Sequence, residues 1–151
     1  MTLTEFQAWV IQNSRWFDGV QPETFESIAE IQRELGCPLS PSMKWLLTER
    51  GYSMACGVDS LDESVAVTLR ARQSMRLPER YVILNDWQDS GVVFFDFTMI
   101  NPIGEYKIYW THAYNLTRLA EGQEIDADID VFEDYPDWVK YRLEEKISEN
   151  Y

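Results

Sequence analysis

Residues 81–111 read YVILNDWQDSGVVFFDFTMINPIGEYKIYWT and contain three short runs rich in β-branched and aromatic residues. The runs are YVILND (81–86), GVVFFDF (91–97) and EYKIYWT (105–111), and turn-forming residues separate them. The third run alternates, with Tyr106, Ile108 and Trp110 on one face and Lys107, Tyr109 and Thr111 on the other. Short β-rich runs between turn residues indicate an antiparallel β-meander.

Helical patterns lie on both sides of these strands. On the N-terminal side, helices are predicted from a capping box at Thr2, from Pro22 to Gly36, and from Ser40, as a side-chain cap, to Gly51. On the C-terminal side, Pro136 begins the last helix. We therefore expect the α+β class, with an antiparallel β-sheet meander flanked by N-terminal helices and a C-terminal helix, as a single domain over 1–151.

Some segments fit two interpretations. Residues 52–58 are consistent with a short strand, and 112–122 with a turn or short helix before an acidic linker. Residues 60–75 begin with a capping box, which favours a helix, although alternating apolar residues also fit a strand. Two apolar helical stripes are expected to be buried. They comprise Phe25, Ile28, Ile31 and Leu35 in one helix and Leu61, Val65 and Leu69 in the other.

The composition is strongly acidic, with 26 Asp and Glu against 13 Lys and Arg and a formal net charge of −13. Such a chain repels nucleic acid and anionic membranes and attracts basic proteins, although acidity also serves solubility alone. No apolar run approaches the ~20 residues of a membrane span, and the N-terminus lacks the pattern of a signal peptide. Two cysteines, Cys37 and Cys56, are too few for a disulfide framework or a zinc site. These features predict a cytoplasmic location.

Four segments resemble the SUKH superfamily: ELGCPLSPSMKWLLTERGY (34–52), GVVFFDF (91–97), GEYKIYW (104–110) and YPDWVKYRLEEKI (135–147). The resemblance spans roughly residues 20–148. It implies a SUKH-like fold and two classes of binding function. Bacterial members are mostly cytosolic immunity proteins that neutralise toxin domains, with nucleases prominent among them, and fungal members are interaction hubs that regulate cell-wall synthesis. Neither role requires catalysis.

The densest acidic stretch runs from Glu121 to Asp137 and contains no Lys or Arg. It is either a docking face for a basic partner or a solvated linker. The candidate partner-binding carboxylates here are Glu121, Glu124, Asp126, Asp128, Asp130 and Asp134. The aspartates also follow an EF-hand spacing, but Val131 replaces the turn glycine and Asp137 the final glutamate, so no metal is expected.

Trp87 lies between the first two strands, within NDWQDSG (85–91). Flanked by Asp86 and Asp89, it is either an anchor for a partner, as tryptophan often is, or a side chain that folds back over the sheet edge.

Catalytic patterns are weak. His112 is the single histidine and sits among aromatic residues, and neither cysteine has a histidine near it in sequence. Glu105 is a candidate for a buried carboxylate or for the partner of an arginine. The arginines of 70–80 are a candidate site for phosphate or RNA, or an exposed helix face that pairs with carboxylates.

We therefore expect a protein with no catalytic residues and no cofactor. The predicted function is to occlude a basic toxin domain, and the sequence does not predict an oligomeric state. An interaction hub without a toxin, and a hydrolase that uses paired carboxylates in the acidic segment, are the alternatives.

Overall fold

A computed structural model describes residues 1–125 and 127–149, and an antiparallel sheet of four strands lies at its centre. The strands run in the order β1-β2-β3-β4 and comprise β1 (Tyr81–Asp86), β2 (Val92–Ile100), β3 (Tyr106–Thr111) and β4 (Ile129–Phe132). The three strands predicted from sequence are confirmed, and so is the α+β class. The fourth strand was not predicted, because it lies inside the acidic stretch.

Six α-helices surround the sheet over the described residues. They are α1 (Leu3–Gln12), α2 (Phe25–Leu35), α3 (Pro41–Glu49), α4 (Leu61–Ser74), α5 (Tyr114–Ala120) and α6 (Tyr135–Glu149). The predicted capping box at Thr2 is present, and Ser60 accepts a hydrogen bond from the backbone of Glu63 at the start of α4. The helical interpretation of 60–75 is therefore confirmed. Helix α2 was predicted to begin at Pro22, but it begins three residues later, at Phe25. Thr24 is its N-cap and forms a capping box with Ser27.

Alternation along the strands gives the sheet two apolar faces. The first face belongs to a core shared with α1, α2, α3, α6 and the start of α4, and its buried strand residues are Val82, Leu84, Val93, Phe95, Tyr106 and Ile108. The second face packs against α5 and part of α4, and its buried strand residues are Ile83, Val92 and Phe94. Burial of these side chains on both faces is the main stabilising contribution.

Helix α4 covers the outer edge of β1 through two hydroxyl side chains. Thr68 Oγ1 accepts a hydrogen bond from Ile83 N at 2.9 Å and donates one to Ile83 O at 3.2 Å. Ser64 Oγ donates to Leu84 O at 2.6 Å. These bonds satisfy backbone groups that an edge strand would otherwise leave open.

Several local expectations are wrong. Residues 52–58 form no strand, apart from an isolated bridge between Val20 and Tyr52. Phe25 is 86% exposed because it is the first residue of α2, ahead of the buried stripe. Leu69 is 41% exposed, since α4 buries Val67 and Ala71 against the second face instead.

The arginines of the predicted 70–80 cluster do not act together, because Arg72 and Arg80 bind different groups. Arg72 donates to the backbone carbonyls of Leu35 at 2.9 Å and Glu79 at 2.7 Å. Arg80 pairs with the buried carboxylate of Asp96. Burial favours the neutral form of Asp96, but its bonds from Arg80 and Thr98 outweigh this effect and lower its pKa.

Glu105 caps helix α3 from 63 residues away. Its carboxylate accepts hydrogen bonds from Ser42 N at 3.0 Å and Ser42 Oγ at 2.6 Å. The expected side-chain cap, Ser40, makes no capping hydrogen bond. Negative charge near a helix N-terminus is favourable, yet burial raises the pKa of Glu105 above its ordinary value.

We expect Glu105→Ala to lower the free energy of unfolding by about 2 kcal/mol, because it leaves buried donors of Ser42 without an acceptor. Glu105→Gln should lose less than half of that, since an amide can bond both atoms of Ser42.

The contribution of Glu105 depends on pH. Its raised pKa means that the folded state binds the proton of the Glu105 carboxyl group more tightly than the unfolded state does. The stabilisation from Glu105 is therefore fully present below the unfolded pKa of about 4.5 and falls as pH rises through the folded value.

Urea unfolding at several pH values between 4 and 7 measures both effects. Glu105→Gln should weaken the fall in stability with rising pH, and the exposed Glu121→Gln serves as the matched control. Equal pH slopes in the wild type and Glu105→Gln would show that the buried carboxylate is not the source.

Candidate partner-binding surface

Trp87 follows β1 and packs onto α6. Its backbone N–H donates to Gly91 O at 2.9 Å, and its indole Nε1 donates to Asp59 Oδ2 at 2.7 Å. The ring centroid lies 6.2 Å from that of Trp138, and the side chain is half-buried. Trp87 therefore folds back, as one of the two interpretations expected, but onto α6 and with part of its surface in solvent.

Arg142 of α6 stacks on Trp87. The guanidinium carbon lies 5.0 Å from the centroid of Trp87 and 5.8 Å from that of Trp138. Arg142 Nη1 also donates to Glu145 Oε2 at 3.2 Å. These contacts hold two side chains as a unit, which we call the Trp87–Arg142 ridge, and each cation–π contact of this kind stabilises by about 0.5–2 kcal/mol.

The ridge separates two open grooves. The first groove has a volume of about 680 Å³ and the second about 350 Å³, and Trp87 and Arg142 line both. The other residues that line the first groove include Arg15, Trp16, Asp18, Ser53, Asp59 and Lys146. The other residues that line the second groove include Trp110, Asp130, Phe132, Trp138, Tyr141 and Glu145.

Strand β4 places an acidic residue in the second groove. The register pairs Asp130 with Trp110 and Phe132 with Ile108, so these side chains lie on the first face of the sheet. Trp110 Nε1 donates to Ser90 O at 3.0 Å, and Phe132 packs edge-on against Trp138 at 5.0 Å. The second groove is therefore an aromatic surface with carboxylates at its border.

The predicted docking residues do not form one face. Asp86 and Asp89 are exposed beside Trp87, and Asp130 lines the second groove, so these three lie near the ridge. Glu124 lines a different groove, on the second face of the sheet. Glu121 is exposed after α5, and Asp128 accepts a hydrogen bond from Tyr114 Oη at 2.8 Å. Asp126 lies outside the described residues.

Asp134 is buried, so the expectation that it lies on a docking face is wrong. Its Oδ1 accepts a hydrogen bond from Asp137 N at 3.0 Å in the first turn of α6, and its Oδ2 lies 3.9 Å from the amino group of Met1. Burial raises its pKa. Asp134 therefore caps the N-terminus of α6, and its role is structural.

The EF-hand spacing does not produce an EF-hand loop. Positions 4–7 of that frame belong to β4, and position 9 is the buried Asp134. Among the residues that the structure describes, no group of three or more His, Cys, Asp or Glu is placed to hold a metal ion.

The histidine and the thiols occupy structural environments. His112 stacks on Tyr114 at 5.6 Å and meets Trp110 edge-on at 5.0 Å. Burial raises the pKa of Cys37 to about 11, and it also raises the pKa of Cys56, whose Sγ donates to Val58 O at 3.1 Å. Both thiols are free and protonated at neutral pH, which is the form that is unreactive as a nucleophile.

Sequence reasoning missed Arg142, which completes the ridge. The available signal was the spacing of Trp138, Tyr141 and Arg142 in α6, since residues three and four apart share a helix face. The first groove had no such signal, because 15–18, 52–59 and 142–146 meet only in the folded chain.

Neither the comparison with protein-family models nor the comparison with curated proteins finds a match for this chain. Within the described part of the chain, every helix is too short or too polar to cross a membrane.

Proposed function

We propose that this chain is a non-catalytic immunity protein of SUKH type, which neutralises a cognate toxin domain by covering its active site in the cytoplasm. The observation that carries the proposal is the Trp87–Arg142 ridge between two open grooves. Tryptophan and arginine are the residues most enriched in the energetic centres of protein interfaces. The resemblance of four segments to the SUKH superfamily supplies the class of partner.

The ridge is ordered before any partner arrives. Arg142 is held by two indole rings and by Glu145, and Trp87 by its hydrogen bond to Asp59. Side chains that are already fixed lose less conformational entropy on binding than mobile ones. The ridge therefore suits tight and specific association.

Charge supports a basic partner. The chain carries a formal net charge of −13, and Asp86, Asp89 and Asp130 lie near the ridge, while the cations Arg15 and Lys146 are confined to the first groove. Complementary charge accelerates association and aligns two surfaces before contact. The proposed partner is thus a basic toxin domain, with a nuclease as the resemblance suggests, and nucleic acid and membranes are not proposed as partners.

The test of the proposal is co-expression with the product of the toxin gene next to this gene. We expect a 1:1 complex on size-exclusion chromatography and loss of toxin activity at equimolar ratio. A chain that binds other proteins but has no toxin gene beside it would support the alternative, an interaction hub. No complex and no inhibition would reject the proposal.

Neutralising the carboxylates around the ridge should slow association. We expect Asp86→Asn/Asp89→Asn/Asp130→Asn to lower the association rate constant about 10-fold at low ionic strength and to flatten its salt dependence. The measurement is stopped-flow or surface-plasmon kinetics with the toxin domain. The variant Glu26→Gln/Glu34→Gln/Glu49→Gln changes the net charge equally at exposed helix positions and should have a much smaller effect. Equal effects of the two variants would show that only net charge matters.

A hydrolase remains the alternative from a different class, and one observation bears on it. Asp130 of the acidic segment lines the second groove, and the second carboxylate there is Glu145 of α6, which lies outside that segment and accepts a hydrogen bond from Arg142. Hydrolytic turnover that disappears in both Asp130→Asn and Glu145→Gln would favour this function over occlusion.

A further inference from the structure

The first groove gathers positive charge in an acidic protein. Arg15, Arg142 and Lys146 line it together with two carboxylates, Asp18 and Asp59. Asp59 already accepts a hydrogen bond from the indole of Trp87, and its backbone N–H donates to Asn85 Oδ1 at 2.9 Å. Three cations in one groove are unexpected in a chain with twice as many acidic as basic residues.

Arg142 contributes a guanidinium that is already held in place at the groove. Its carbon lies 5.0 Å from the ring centroid of Trp87, and its Nη1 donates to Glu145 Oε2 at 3.2 Å. A guanidinium has only donors, so an oxyanion is the complementary ligand.

Arg15 provides a further donor. Its guanidinium carbon lies 5.0 Å from the centroid of Trp16, and it forms no ion pair within the described residues. Lys146 lies in the same groove and donates to Glu149 at 3.2 Å. An oxyanion in this groove would meet a fixed guanidinium on the ridge and a second one stacked on an indole.

The walls of the groove favour a planar ligand. Trp16 and Trp87 both line it, and aromatic stacking on an indole stabilises a planar ring by about 1–3 kcal/mol. A volume of about 680 Å³ also lies within the range of small-molecule sites. Aromatic walls and guanidinium donors together select a ring that carries an anionic group.

We propose that the first groove binds an aromatic oxyanion, with the ring against Trp16 or Trp87 and the phosphate or carboxylate near Arg15 and Arg142. The site requires no protein partner, so its test is independent of the proposed immunity function.

The test titrates the isolated protein with adenosine 5′-monophosphate and with indole-3-acetate, by calorimetry or by changes in NMR amide shifts. We expect at least one of them to bind, and which one identifies phosphate or carboxylate as the anion. If adenosine 5′-monophosphate binds, two control compounds should bind at least 10-fold more weakly. They are adenosine, which has the ring but no anionic group, and inorganic phosphate, which has the anionic group but no ring. If indole-3-acetate is the one that binds, indole and acetate should be weaker by the same factor.

Variants assign the binding to this groove. Arg15→Gln should weaken the bound probe about 5–10-fold, as expected for loss of one charge-assisted contact. Asp18→Asn removes a repulsive carboxylate and should tighten binding about 2–3-fold. Arg33→Gln removes an arginine from α2, where it pairs with Glu30, and should change nothing. Absence of binding by both probes, or equal affinities in Arg15→Gln, Asp18→Asn and the wild type, would overturn the proposal.

Discussion

Trp87→Ala should weaken the complex with the proposed toxin partner about 30- to 100-fold, mainly through faster dissociation. Truncation of a central aromatic anchor typically removes 2 kcal/mol or more of binding free energy. The substitution removes one wall from each groove and leaves Arg142 with a single stacking partner, so the ridge loses its shape and its order together. Surface-plasmon or stopped-flow dissociation kinetics provide the measurement.

Two further variants separate binding from folding. Phe25→Ala removes an aromatic side chain that is 86% exposed on α2 and should leave the affinity unchanged. Trp87→Phe keeps an aromatic ring beside Trp138 but loses the hydrogen bond to Asp59, so we expect an intermediate loss of about 5-fold. If Trp87→Ala binds as the wild type does while its urea unfolding midpoint shows a folded protein, the ridge is not the docking site.

The sequence predicted elements whose local pattern agrees with their environment. Strands β1, β2 and β3 carry continuous or alternating apolar residues, and α4 carries its own N-cap at Ser60. The secondary structure of such segments can be predicted from a few residues of sequence, because propensity, periodicity and capping all favour the same conformation.

Strand β4 could not be predicted in the same way. Its four residues, Ile129–Phe132, lie among carboxylates, and its backbone becomes a strand by pairing with β3. The cap of α3 is likewise non-local, since Glu105 replaces the hydroxyl of Ser40 in that role. Pairing and capping partners that are distant in the chain leave no trace in a short window of sequence.

The candidate site was only half predictable for the same reason. Trp87 between two aspartates was a visible signal, but Arg142 lies 55 positions later and meets it through the packing of α6. Asp134 shows the opposite error, since composition grouped it with exposed carboxylates while the fold uses it to cap α6. Charge density in a sequence therefore does not distinguish a docking carboxylate from a capping one.

Gly91→Ala should lower the free energy of unfolding by about 3 kcal/mol or more. Gly91 begins the turn into β2 with φ 100° and ψ 179°, a backbone region that is almost confined to glycine, and strain there is about 1–3 kcal/mol for other residues. A Cβ at this position would lie 2.4 Å from Nε1 of Trp110, which the indole must avoid by moving. The movement would break the hydrogen bond from Trp110 to Ser90 O and deform the second groove.

Gly36→Ala is the matched control, because Gly36 has φ 81° but no atom within 4 Å of a Cβ. Its loss should be about 1 kcal/mol, from backbone strain alone. In a Trp110→Ala background the collision disappears, so Gly91→Ala should then lose only its strain component. Equal losses for Gly91→Ala in the two backgrounds, measured by urea unfolding, would show that contact with Trp110 is not what requires glycine here. Through this contact, the turn that carries Trp87 is joined to the aromatic wall of the second groove. A loss that depends on Trp110 would therefore make Gly91 a determinant of the proposed docking surface as well as of stability.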